Sequence, residues 1–290
     1  MKDIPPHPHP GPPPEGEGEN GAARLKGEDG TKPVVTANPW AALRACTPAR
    51  IALGRAGSAL PTGEVLRFGL AHARARDAVH GSLDAGALAG ELRALGLEVR
   101  IVKSAAPDRA TYLLRPDLGR KLEDGGILER SPAQTVLAIA DGLSAIAVQR
   151  HAPQLVRALI ELAPQRWAQV PAVIALQGRV ALGDEIGERL GARLVAVLIG
   201  ERPGLSAPDS LGVYLTFDPR VGRTDAERNC LSNIRPAGLG YAEAARRLDW
   251  LAAAALARGM TGIALKDDST REGIGDRGLE TGKDGDEVTQ

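Results

Sequence analysis

The second half of the chain carries four short apolar runs, each closed by glycine, aspartate or another polar residue: Thr135–Ala140 (TVLAIA), Pro171–Leu176 (PAVIAL), Arg193–Ile199 (RLVAVLI) and Gly212–Phe217 (GVYLTF). Runs of this length, apolar at nearly every position, predict strands covered on both faces. Helical periodicity separates them. Leu155, Val156, Leu159 and Ile160 share one face of a helix interrupted at Pro153, and a shorter helix fits Asp184–Leu190 before Gly191. A last helix over Tyr241–Ala257 groups Leu248, Leu251, Ala252 and Ala255 and ends at Gly259. Buried strands alternating with amphipathic helices predict an α/β fold. Residues 130–266 are therefore expected to form a Rossmann-like, open, mostly parallel sheet with flanking helices and right-handed crossovers.

Residues 38–129 are more helical. Helices are expected at Glu64–Val79, stopped by Gly81, and at Ala87–Leu95, with a short helical run from Pro39 to Leu43. Leu97–Val102 alternates like a half-buried strand and Tyr112–Leu114 reads as a second short strand. Arg115-Pro116-Asp117 then opens a helix near Leu118–Leu122. This region is expected to pack against the sheet as a mostly helical N-terminal region. Residues 1–37 and 267–290 are rich in Pro, Gly and charge and hold little apolar surface, so both are expected to be disordered tails. His7 and His9 alternate with proline in the first tail and read as linker, not as a metal site. The start lacks the apolar core of a secretory signal, and no stretch approaches the ~20 apolar residues of a membrane span.

Composition narrows the function. The 290 residues are 43% hydrophobic, enough for a real core, and 36 basic residues balance 36 acidic ones. That balance does not point to a general polyanion binder, and with aromatics at 3% few stacking platforms exist for single-stranded nucleic acid. Cys46 and Cys230 are the only cysteines, which fits a reducing, cytoplasmic setting.

In open α/β sheets ligands bind beyond the carboxyl ends of the strands. Three segments that follow apolar runs combine glycine with polar residues there: Asp141-Gly142, Gly178-Arg179-Val180 and Gly200-Glu201-Arg202. Together they predict a ligand-binding edge, although such turns also use Gly and Asp for geometry alone. Neither G-x-G-x-x-G nor G-x-x-x-x-G-K-[ST] follows any of these strands, and H-E-x-x-H and G-x-S-x-G are absent. Ser144 reads as a helix N-cap and His151 as a surface helix residue. Cys230 reads as a small, partly buried apolar residue without thiolate activation. No catalytic or metal-ligating set emerges, which suits a binding subunit better than a complete enzyme.

Longer stretches carry a resemblance. DGLSAIAVQRHAPQLVRAL (141–159), GRVALGDEIGERLGARLVAVLIGERPGL (178–205) and RNCLSNIRPAGLGYAEAA (228–245) are similar to the small (light) subunit of ethanolamine ammonia-lyase, as are GRAGSALPTGEVLRF (54–68) and LLRPDLGRKL (113–122). The resemblance implies a hetero-oligomer with a large (β/α)8-barrel subunit, in which the small subunit holds adenosylcobalamin at the interface and ethanolamine becomes acetaldehyde and ammonia. It further implies cofactor contacts through the valine of G-R-V, the glutamate of G-E-R-P-G and the cysteine of C-L-S-N-I, which fall here on Val180, Glu201 and Cys230. D-x-H-x-x-G is absent, so cobalamin is expected to keep its own benzimidazole as lower ligand. Many family members carry an amphipathic N-terminal helix for delivery to a bacterial microcompartment; the Pro-rich residues 1–37 lack that period, so free cytoplasmic residence is expected. The rival readings are a nucleotide-dependent oxidoreductase, disfavoured because no G-x-G-x-x-G follows an expected strand, and an assembly protein that has lost its cofactor.

Overall fold

The computed structural model describes residues 34–36, 38–124, 128–131 and 133–269. The expected tails lie almost wholly outside these residues. Their inner ends are anchored: Thr36 N donates to Arg55 O at 2.7 Å, and Ser269 O accepts from Arg246 at 2.7 Å.

A 3₁₀ helix over Pro39–Cys46 leads to α1 (Thr62–His80), α2 (Ala85–Ala94), β1 (Val99–Lys103) and α3 (Arg109–Leu114). Next come β2 (Thr135–Ala140), α4 (Ala145–Leu162), α5 (Pro164–Trp167), β3 (Ala172–Leu176), α6 (Leu182–Leu190) and β4 (Leu194–Gly200). β5 (Leu211–Phe217), β6 (Arg228–Ile234) and α7 (Tyr241–Arg258) complete the order. The strands form one mixed sheet in the order β1-β3-β2-β4-β5-β6. β1, β3, β2 and β4 run parallel; β5 is antiparallel to β4, and β6 is antiparallel to β5. The fold is α/β, and β1, from the N-terminal region, belongs to the same sheet.

Every residue of β2 and β4 is buried, as their continuous apolar runs require. On one face, α2, α4, α5 and α7 pack Leu88, Leu155, Leu159, Trp167, Leu248 and Leu251 against Leu137, Ile139, Ile174 and Leu198. On the other face, α6 packs Leu182, Ile186 and Leu190 against Val136, Val173, Val195 and Val197. Tyr214 of β5 lies at the margin of that second core, half-buried. One face is thus densely roofed, and the β5–β6 end of the other is left open.

Three expectations need correction. Tyr112–Leu114 is the end of a helix, because the Asp108 carboxylate caps α3 by accepting from Thr111 N at 2.8 Å. The helix expected near Leu118–Leu122 is one 3₁₀ turn, Leu118–Arg120. Residues 228–234, outside the four apolar runs that predict strands, form a further strand, with only Arg228, Leu231 and Ile234 buried. Arg228 is held inside by Asp184 of α6, with Nη2 2.7 Å from Oδ2, so a charged residue occupies a position that a strand pattern reserves for an apolar one.

Candidate functional site

Because β3, β2 and β4 are parallel, the loops that follow them leave the sheet at one edge. Backbone proximity knits this edge together. Leu143 N donates to Gly200 O at 2.9 Å, and a Cβ on Gly142 would stand 2.2 Å from that same oxygen, at a φ of 56°. Only glycine fits there. The buried Asp141 carboxylate accepts from Gln177 N and Gly178 N, both at 3.0 Å, and so fastens the end of β2 to the β3–α6 turn. Burial raises its pKa, while the two amides and Arg109 pull it back down.

A layer of α3 side chains supports the turn. Arg109 donates to Val79 O at 2.7 Å and to Gly142 O at 2.8 Å, joining the end of α1 to the β2–α4 loop. Two guanidiniums lie over the Tyr112 ring, Arg109 at 4.8 Å and Arg179 at 4.2 Å from its centroid, and its hydroxyl donates to Gly178 O at 3.1 Å. Burial pushes its phenol pKa up to about 12. Arg179 Nε is buried without a hydrogen-bond partner among the described residues.

Glu201 sits where β4 ends. Its carboxylate accepts from the hydroxyl of Ser210, from Ser232 Oγ at 2.5 Å and from Asn233 N at 3.2 Å. The β6 donors reach it because of a bulge: Leu211 pairs with Ile234 but Val213 with Leu231, so three steps along β6 match two along β5. Asn233 takes a left-handed φ of 59° within that bulge.

Val180 and Glu201 line one cavity of about 430 Å³ together with Tyr112, Arg179, Ile199 and Tyr214. Cys230 pairs with Tyr214 across β5 and β6, and it is exposed, where partial burial was expected. The cause is the open sheet face beyond α6. Desolvation by the surrounding strand raises the thiol pKa, offset by the Tyr214 hydrogen bond and reinforced by the Glu201 charge. Burial, with Cys230 and Glu201 adding to it, pushes Tyr214 up to about 12.

Ser144 caps α4 as expected, accepting from Ala147 N at 3.4 Å, and donates to Pro208 O at 2.9 Å. His151 is not a surface residue. It is 4% exposed, with Nδ1 2.8 Å from the Tyr241 hydroxyl and Nε2 3.6 Å from Asp209, and does not line the cavity. Arg109, Tyr112, Tyr214 and Ser232 were missed by sequence reasoning. The LLRPDLGRKL stretch flagged α3's surroundings, but nothing local reveals that Tyr112 stacks beneath Arg179.

The family model described as ethanolamine ammonia-lyase light chain matches residues 37–266, a span containing all six strands. The chain belongs to this family. Curated small subunits of ethanolamine ammonia-lyase agree over most of their length. One from Ralstonia nicotianae is 53% identical over 248 residues, 82% of this chain and 92% of that protein. Another from Bradyrhizobium diazoefficiens is 55% identical over 244 residues, 82% of this chain and 94% of its own. A third from Azotobacter vinelandii is 54% identical over 243 residues, covering 81% and 90%. In this light-chain family member, no helix of the described residues is long and apolar enough to cross a membrane. No group of three or more His, Cys, Asp or Glu among them is placed to hold a metal ion.

Proposed function

We propose that this chain is the small subunit of an adenosylcobalamin-dependent ethanolamine ammonia-lyase of the cytoplasm, forming one wall of the cofactor site against a large catalytic subunit. The observation that carries the reading is that Val180 and Glu201, brought to separate loops by separate strands, line one cavity of about 430 Å³ in a chain whose family match spans residues 37–266. The cobalamin-binding unit would be the Rossmann-like layer over residues 130–266, with β1 completing its sheet.

The residues suit a corrinoid's periphery. The cavity is open at the surface, Cys230 beside it is exposed, and the buried Arg179 Nε still lacks an acceptor. Val180 would offer an apolar contact. Glu201 would accept hydrogen bonds from peripheral amides, held in place by Ser210, Ser232 and Asn233. Cys230 would pack as a small polarisable residue where a larger side chain would clash. Val180, Glu201 and Cys230 would hold adenosylcobalamin, which would supply the radical chemistry when bound. In this reading the chain's own residues would bind and orient the cofactor and exclude water.

Coexpression with the large subunit tests the reading. The complex should deaminate ethanolamine only when adenosylcobalamin is added, and the chain alone should be inactive. Turnover by the isolated chain, or by the complex without the corrinoid, would sink the assignment.

A further inference from the structure

The turn that carries Val180 is held at each backbone N–H from Gln177 to Arg179. Gln177 N donates to Asp141 Oδ2 and Gly178 N to Asp141 Oδ1, while Arg179 N donates to Gly119 O at 2.8 Å. Gln177 begins this turn at a φ of 54°, in the left-handed region that residues other than glycine seldom occupy. Such a conformation persists only where its surroundings dictate it. Here the surroundings are a single carboxylate, 1% exposed, that takes both amides at once.

The same carboxylate belongs to the other half of the site. Asp141 follows β2 directly, and two residues on Leu143 N donates to Gly200 O, the neighbour of Glu201 in the chain. The segment from Asp141 to Leu143 therefore bonds both to the turn that leads to Val180 and to the strand end that leads to Glu201. Arg109 reinforces the same junction. Its guanidinium stands 3.8 Å from Asp141 Oδ2 and donates to Gly142 O and to Gln177 Oε1, the latter at 3.4 Å.

We propose that Asp141 is a positioning residue for the cofactor: it holds Gln177 in its left-handed conformation and so fixes Val180 relative to Glu201. Asp141 itself does not line the cavity that Val180 and Glu201 share, so its effect passes through the turn. The carboxylate matters because an asparagine in its place offers one acceptor oxygen and turns an NH2 group towards the second amide. The inference rests on the reading that adenosylcobalamin binds at that cavity.

Equilibrium binding of adenosylcobalamin to the complex with the large subunit, followed by the visible corrinoid spectrum, provides the test, with steady-state kinetics in ethanolamine beside it. Asp141→Asn should raise the cofactor's Kd by about tenfold or more and leave the KM for ethanolamine within about twofold of wild type. Adding Gln177→Gly to that variant should recover much of the affinity, because glycine enters the left-handed region with no carboxylate to hold it. Gln177→Val leaves Asp141 in place and opposes the left-handed φ with a β-branched side chain, so it should also raise Kd. That variant carries the test should Asp141→Asn fail to assemble. A cofactor Kd near wild type in Asp141→Asn or Gln177→Val, a KM that rises in step with Kd, or a loss that Gln177→Gly does not reduce would overturn the proposal. Failure of the wild-type complex to bind adenosylcobalamin would instead remove the cofactor reading, and this proposal with it.

Discussion

Glu201 concentrates the residue-scale argument. One carboxylate gathers donors from Ser210 and from the Ser232–Asn233 bulge, so it fixes the relative positions of three strand ends. Glu201→Ala should raise the cofactor's apparent Kd by about tenfold or more, the worth of one to two charge-assisted hydrogen bonds, and leave the KM for ethanolamine nearly unchanged. The opposite split, measured by steady-state kinetics on the complex, would assign Glu201 to the substrate. Its neighbour Gly200 is a test of packing: an added Cβ would lie 2.1 Å from Ser144 O and 2.7 Å from Asp141 O. Both obstacles are backbone, so Gly200→Ala should cost more than about 3 kcal/mol in urea denaturation. Both residues were visible in the sequence as a post-strand Gly-Glu pair. Their partners were not, because Ser232 and Asn233 become neighbours of Glu201 only through a bulge on a distant strand.

Among the elements, legibility followed burial. β2, β3 and β4 were plain because both of their faces are apolar, and the antiparallel β5 could be read as a strand though not as a reversed one. β6 escaped because its bulge replaces alternation with a spacing of three and because Arg228 fills an interior position. α3 was misread because its apolar Tyr112-Leu113-Leu114 ending looks extended, while the deciding feature is a cap at Asp108. The Arg228–Asp184 pair that fastens β6 to α6 is 1% exposed on both sides. Arg228→Met alone should cost about 3–5 kcal/mol by leaving a buried carboxylate unpaired, and adding Asp184→Leu should restore much of the loss in a double-mutant cycle. A second junction is His151 of α4, which faces Tyr241 of α7 and Asp209 of the loop before β5, where Asp209 also pairs with Arg150 of α4. Burial lowers its pKa from 6.5, with Asp209 acting against the shift. The neutral ring is therefore the form that folds, and its stabilisation is complete above pH 6.5 and is lost as pH falls below that value toward the depressed native pKa. The urea midpoint should drop between about pH 7 and about pH 5, and His151→Asn should flatten that slope. A variant slope equal to wild type would place the acid sensitivity elsewhere.

At the scale of the molecule, the asymmetry between the sheet's faces matters most. Helices α2, α4, α5 and α7 close one side, whereas α6 leaves the β5–β6 end of the other uncovered. The overall balance of 36 basic and 36 acidic residues hides a similar asymmetry, since three cations without an ion pair among the described residues gather around a single cavity. Composition could not reveal that, because it averages over positions which only the fold brings together. On the proposed reading, this open shelf is one wall of the cofactor site and the partner subunit supplies the second. Ligand stabilisation measures this directly, since a ligand that binds only the native state adds RT ln(1 + [L]/Kd). At a concentration about a hundred times the complex's Kd, adenosylcobalamin should stabilise the complex by about 2.7 kcal/mol, seen as a rise in Tm. The same concentration should barely move the Tm of the chain alone. An equal rise in the isolated chain would mean that both walls lie within its own sheet and loops, and that the partner is needed for turnover but not for holding the corrinoid.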